Sequence, residues 1–191
     1  LQSEFQDKLF LSVRQKKSGL GTAYVHGFKW ALKHNYDYIF EMDADFSHNP
    51  NDLVKLYDAC YSSGADVAIG SRYVTGVNVV NWPLSRVLLS YFASVYVRMI
   101  TGMKIMDATA GFICYHREVL EKINLDKIEF IGYAFQIEMK YRAFAKNFNI
   151  QEVPVIFTDR TKGQSKMSGS IIKEAIFGVI SLRLKKFLNQ L

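Results

Sequence analysis

Asp43 and Asp45 stand one residue apart at the end of the apolar run Tyr38-Ile39-Phe40-Glu41-Met42. Residues two apart on an extended backbone point to the same side. Both carboxylates can therefore aim at one object if the strand geometry persists just past Met42. This D-x-D spacing suits a hard divalent cation, Mg²⁺ or Mn²⁺, which takes carboxylate oxygens together with those of a diphosphate. A cation there would offset charge on a departing nucleoside diphosphate, as a Lewis acid. The same residues also describe a loop of solvated acids leading into a helix, because Asn49-Pro50 pairs a capping side chain with a residue pre-set for the first helical turn. An EF-hand is excluded, since the run lacks the mid-loop Gly and Val54 stands where the closing Glu would be.

Cations and hydroxyls recur at places that could meet the same ligand. Arg72 follows a short apolar stretch ended by Gly70-Ser71. Arg86 and Ser90 are four apart and share one helix face. Together they could hold a phosphate; alternatively the Arg snorkels and the Ser bonds back to its own helix. The run from Asp159 through Arg160 to Lys166 mixes cations, hydroxyls and a Gly, and suits either a phosphate-closing loop or a solvated surface loop. Asp107 precedes the small residues Ala108-Thr109-Ala110-Gly111, which admit a ligand to the backbone or simply form a turn into a strand. Gln136 and Glu138 lie on a helix, where such residues commonly face solvent.

Strands alternating with helices must position these groups. The pattern predicts a strand at Lys8–Arg14 and a helix at Thr22–Lys33. The acid-bearing strand follows, then a helix over Pro50–Ser62 with Leu53, Val54, Leu56, Tyr57 and Cys60 on its apolar face, and a strand at Ala65–Gly70. Such alternation indicates βαβ units and a largely parallel sheet, whose ligand crevice lies beyond the carboxyl ends of the strands. Beyond Pro83 a long helix reaches Thr101, with Leu84, Val87, Leu88, Tyr91, Phe92, Val95 and Met99 on a broad apolar face. A strand near Gly111–Tyr115, helices from Arg117 and from Ala134 to Lys146, and a strand over Ile150–Phe157 follow, with Pro154 placing the last at an edge or bulge. An amphipathic helix over Ile171–Leu191 closes the sequence.

Composition narrows the classes. At 191 residues and 49% hydrophobic, the sequence suits one folded domain, 1–191, and not a disordered chain. Its net charge of +6 favours an anionic partner or simply a basic surface. Cys60 and Cys114 read as buried thiols of a reducing compartment, not as a disulfide framework. The Gly19-Leu20-Gly21 run lacks the third Gly of a dinucleotide fingerprint, the four His have no zinc-like spacing, and nucleic-acid motifs are absent.

Taken together, Gly19–Ala23, Met42–His48, Gly70–Tyr73, Asp107–Phe112 and Arg160–Lys166 resemble, in order, the motifs of the polyprenol- or dolichol-phosphate mannose synthase group of the inverting family 2 glycosyltransferases. The resemblance implies an α/β GT-A fold, a Rossmann-like, mostly parallel nucleotide-sugar-binding sheet flanked by helices. It also implies transfer of mannose from GDP-mannose to a polyprenyl phosphate; UDP-glucose or another donor, or a non-catalytic membrane-associated module, are the alternatives. Carried over by position, Asp43 and Asp45 would hold Mg²⁺ or Mn²⁺ on the donor diphosphate. Asp45, Arg72 and Arg160 would be catalytic. Arg72, Arg86, Ser90 and Arg160 would grip the acceptor phosphate, while Asp107, Gln136 and Glu138 would form or support the sugar pocket. Some relatives place a Gln ligand where this sequence has Ser47, which leaves a third protein ligand unassigned.

The acceptor's lipid tail implies a peripheral position on the cytoplasmic face of a membrane, with amphipathic helices near 83–101 and 170–191 lying in the interface. Against the family pattern the first two strands are missing, so the sequence reads as amino-terminally truncated. An exposed sheet edge then opens a route to a homo-oligomer.

Overall fold

The computed structural model describes residues 4–5, 8–16, 18–132, 134–159 and 169–188, the side chains of 169–175 excepted. The elements are α1 (Leu20–Lys33), β1 (Tyr38–Glu41), α2 (Asp52–Tyr61), β2 (Val67–Ser71), β3 (Val79–Val80), α3 (Leu84–Thr101), β4 (Ile113–His116), α4 (Arg117–Lys122), α5 (Ala134–Ala145), β5 (Ile150–Pro154), β6 (Phe157–Thr158) and α6 (Gly169–Phe187). Residues 8–14, expected as a strand, are irregular instead, and Leu11 and Val13 point into solvent. Their apolar side chains find no sheet neighbour among the described residues to pair with.

Four strands form the main sheet in the order β1-β4-β2-β5. β1, β2 and β5 run in one direction, and β4 lies antiparallel between β1 and β2. That insertion departs from the simple βαβ succession the alternation suggested. It has a use: the loop entering β4 reaches the same sheet end as the loops leaving β1 and β2. β3 and β6 pair as a separate parallel ribbon beside that end.

All five residues of β2 are buried, so helices cover both sheet faces. On one side Val67, Ile69, Ile113 and Tyr115 pack with Phe28 of α1 and with Phe135 and Met139 of α5. On the other, Ala68, Phe112 and Cys114 meet Leu56, Ala59 and Cys60 of α2. Both cysteines are buried free thiols, as expected. Val54, expected on the apolar face of α2, is exposed instead, because the buried stripe runs through Asp52, Leu56, Ala59 and Cys60. Pro154 ends β5 at the sheet edge, where its missing N–H costs no ladder bond.

Helix boundaries follow local chemistry. The Asn49 side-chain oxygen accepts the Asn51 N–H (3.0 Å), closing a tight turn through Pro50 before regular α2 bonding begins at Asp52. Gly102 ends α3 in the left-handed conformation (φ 75°), which a residue without Cβ adopts freely. Gly21 is required for a different reason: a Cβ there would lie 2.6 Å from the Phe130 carbonyl oxygen and 2.8 Å from the Phe135 ring. Gly21→Ala is expected to lose about 1–3 kcal/mol through this overpacking, read as a lower denaturation midpoint; an unchanged midpoint would mean α1 can shift freely away from α5.

Candidate active site

Three loops meet at the carboxyl end of β1 and β2. Met42 to His48 leaves β1, Arg72 leaves β2, and Asp107 to Phe112 enters β4. They border a cavity of about 210 Å³ whose wall includes Asp43, Asp45, His48, Arg72, Trp82, Arg86, Ser90, Gly111, Gln136 and Asp159. Six expected site residues (Asp43, Asp45, Arg72, Arg86, Ser90 and Gln136) thus share one cavity. Arg160 and the rest of the run to Lys166 lie outside the described residues.

The acid loop is internally braced. Ser47 donates its hydroxyl (2.6 Å) and its amide N–H (3.1 Å) to Asp45 Oδ1, which fixes that carboxylate's orientation. Between them Phe46 adopts a left-handed backbone (φ 64°) and turns its ring outward. The Tyr24 hydroxyl bonds Asp43, and burial together with the charges of Glu41 and Asp43 raises the phenol's pKa. Two hard carboxylate oxygens at one wall are a donor set suited to Mg²⁺ or Mn²⁺, with further ligands left to a diphosphate or water. Among the described residues no group of three or more His, Cys, Asp or Glu side chains forms a closed metal cage.

Arg72 is the most firmly held cation of the site. Its Nε and Nη2 donate to the two carboxylate oxygens of Asp107 at 2.7 and 2.6 Å, and its backbone N–H adds a third bond at 3.0 Å. Asp107 is fully buried, and burial alone would raise its pKa; the Arg72 guanidinium holds it below the usual carboxylate range instead. Asp107 is therefore beneath the cavity wall and acts through Arg72. Glu152 of β5 anchors that loop in turn, accepting the Met106 and Asp107 N–H groups at 2.6 and 2.8 Å. Arg86, on α3, donates from Nη1 to both carboxylate oxygens of Asp159 at 2.9 Å.

Gln136 and Glu138, for which solvent was the common expectation, are both buried, because α5 is enclosed from Ala134 to Ala143. They part company there. Gln136 reaches the cavity and donates to Glu41 Oε2 (3.3 Å), and its amide oxygen is buried without a hydrogen-bond partner among the described residues. Glu138 points away, pairing with Arg142 at 2.8 Å and accepting the Glu129 and Phe130 N–H groups. It braces α5 against the chain that precedes it.

Three contributors were not singled out from the sequence. His48 packs against the Phe112 and Phe157 rings, and burial together with the Arg72 charge pushes its pKa down to about 4. Burial raises the pKa of Glu41 and lowers that of Lys140, which supports the cavity floor by donating to the Ala110 and Gln136 carbonyls. A Glu interrupting an apolar strand and a Lys four residues after Gln136 were the available signals.

The chain is 50% identical over 173 residues to the polyprenol monophosphomannose synthase of Mycolicibacterium smegmatis, covering 91% of this chain and 65% of that protein. It is 46% identical over 166 residues to the undecaprenyl-phosphate mannosyltransferase of Micrococcus luteus, covering 87% and 68%. It thus spans about two thirds of these curated relatives. Among solved structures, glucosyl-3-phosphoglycerate synthase from Mycobacterium tuberculosis, in complex with Mn²⁺, uridine diphosphate and phosphoglyceric acid, superposes with a TM-score of 0.60 at 15% identity over 92% of this chain and 55% of that one. That likeness carries the fold alone, and with it the α/β GT-A class expected from the sequence is borne out. The glycosyl transferase family 2 model matches residues 1–124, which take in the acid loop, Arg72, Arg86 and Asp107, and the chain belongs to that family.

Proposed function

We propose that this chain carries the catalytic centre of an inverting glycosyltransferase that moves mannose from GDP-mannose to a polyprenyl (dolichyl) phosphate. One observation supports this above the others: a carboxylate pair and two arginines, drawn from two separate loops and a helix, line a single cavity. The names of the two closely similar relatives support mannose and a lipid phosphate as the reactants. At about 210 Å³ the cavity is smaller than the ~300–1,000 Å³ of most small-molecule sites. It suits the reacting ends, a sugar and a phosphate, with nucleotide and lipid lying outside.

Asp43 and Asp45 would hold Mg²⁺ or Mn²⁺, which when bound supplies Lewis-acid neutralisation of the leaving diphosphate. Arg72, Arg86 and Ser90, joined by Arg160, would grip the acceptor phosphate through charge-assisted bonds. Gln136 would contribute its carboxamide on the sugar side. The acceptor is already anionic and needs no general base, in keeping with a His48 that stays neutral at ordinary pH. A phosphate oxygen forms the new bond to the anomeric carbon as the bond to GDP breaks, its electron pair leaves with GDP, and the configuration inverts. Catalysis is then positioning and charge stabilisation.

Two helices support a seat on the membrane surface. Leu88, Phe92 and Met99 of α3 and Phe177, Ile180 and Leu184 of α6 are exposed, and the helices are joined by a Tyr96 hydroxyl bond to the Ile176 carbonyl (2.9 Å). No described helix is long and apolar enough to cross a membrane. The apolar side chains would dip into the interface on the cytoplasmic face, near the acceptor's tail.

Incubating the intact natural protein with Mn²⁺, labelled GDP-mannose and polyprenyl phosphate tests the reading: label should enter the lipid phase. Label entering only from UDP-glucose would overturn the donor, and none from any donor would overturn the activity. Arg86→Leu should raise the acceptor KM about 10-fold or more, the worth of a charge-assisted hydrogen bond, with the GDP-mannose KM nearly unchanged. If only donor binding suffers, the acceptor role is wrong.

A further inference from the structure

Trp82 lies between β3 and α3, and both cavity arginines meet on its ring. The Arg86 guanidinium carbon is 4.0 Å from the ring centre and that of Arg72 is 5.2 Å away. The Phe157 ring packs on Trp82 edge-on at 5.3 Å, and the rings of Tyr73 and Phe157 lie 5.3 and 5.8 Å from Arg72. Among the described residues the indole N–H is buried without an acceptor. The carboxylate partners of the two arginines belong to different elements: Asp107 precedes β4 and Asp159 follows β6. Those carboxylates hold the two cations from different parts of the chain, and the Trp82 ring is a surface that both cations reach. An aromatic face attracts both, by about 0.5–2 kcal/mol each, and offers a flat surface on which a guanidinium stacks.

We propose that Trp82 is a positioning residue for the acceptor phosphate, its ring holding Arg72 and Arg86 together so that both guanidiniums face one phosphate group. The proposal rests on the acceptor reading of those arginines. Trp82 acts through them and makes no contact with the reacting atoms.

Trp82→Leu in the intact natural protein should raise the KM for a polyprenyl phosphate about 10-fold or more, matching the loss of one to two cation–π contacts, while the GDP-mannose KM stays within about 2-fold. Trp82→Phe keeps an aromatic face and should recover most of that loss. Equal losses in the two variants, or a fall in kcat with the acceptor KM unchanged, would overturn the proposal even though mannose transfer by the natural protein stands.

A second measurement does not depend on turnover. The sequence has two tryptophans, and the other, Trp30, stacks on His34 and Tyr36 at the far end of α1. In a Trp30→Phe background the emission therefore reports Trp82 alone. Farnesyl phosphate should change that emission saturably, and inorganic phosphate should do so more weakly. Calorimetric binding of farnesyl phosphate with flat emission would overturn the role of Trp82. A saturable change in a protein that transfers no mannose would leave Trp82 in place and overturn the proposed activity.

Discussion

Asp45→Ala in the intact natural protein is expected to lower mannose transfer by about 10²–10³-fold or more, the scale seen when one preorganised stabiliser of transition-state charge is removed. The expectation follows from the wall of the cavity. Asp45 supplies one of the two carboxylates that the acid loop brings there, and Ser47 commits two donors to orienting it. A side chain held that firmly loses little entropy when a cation arrives, so its removal should weaken Mn²⁺ binding directly. Asp45→Asn separates the two jobs of the carboxylate: its amide oxygen still accepts from Ser47, but the charge is gone. If charge is what matters, Asn and Ala should be nearly equally impaired while both melt close to the natural protein. Electron paramagnetic resonance of added Mn²⁺ should show a weaker site in each, and chelation should silence the natural protein until Mn²⁺ is restored. Full activity in Asp45→Ala would remove the metal assignment.

What the sequence could reveal about this site depended on how local each signal was. Asp43 and Asp45 announce themselves because strand periodicity and helix-start chemistry both act within a few residues. Arg86 and Ser90 are legible for the same reason, being one helical turn apart. The bond between Arg72 and Asp107 spans 35 positions, and neither residue's surroundings name the other. The position of β4 between β1 and β2 is likewise a matter of which strand neighbours which, and apolar runs of similar length do not encode that choice.

Polar residues on α5 misled in an instructive way. Gln136, Glu138, Lys140 and Arg142 are of residue types that ordinarily face solvent, yet all four are buried and each finds a partner inside. The i, i+4 spacing of Glu138 and Arg142 was the one visible hint that the helix satisfies its own charges. Residues 8–14 erred in the opposite direction. Their apolar content suggested a strand, but a strand needs a neighbour to pair with, and composition cannot supply one.

Asp107→Ala should cost about 3–5 kcal/mol, the scale for removing one partner of a buried ion pair and leaving the other charge uncompensated. Arg72 would keep its buried guanidinium and lose three of its bonds at once. For a chain of this size that corresponds to a fall in Tm of roughly 6–20 °C. The pH dependence has a definite sign. Asp107 is held below the usual carboxylate range, so its contribution is fully present above the unfolded value near ~3.9 and is lost as pH falls through the lower folded value. The natural protein should therefore lose stability more steeply in acid than Asp107→Ala, which has already lost that contribution. Pairing Asp107→Leu with Arg72→Met removes both charges and should return part of the stability, because no buried ion is left unpaired. Acceptor use should not return with it, since the phosphate has lost a cation. Melting behaviour restored without acceptor binding would divide the pair's structural work from its chemical work, whereas an Asp107→Ala protein that melts normally would mean Arg72 reaches water or another partner unaided.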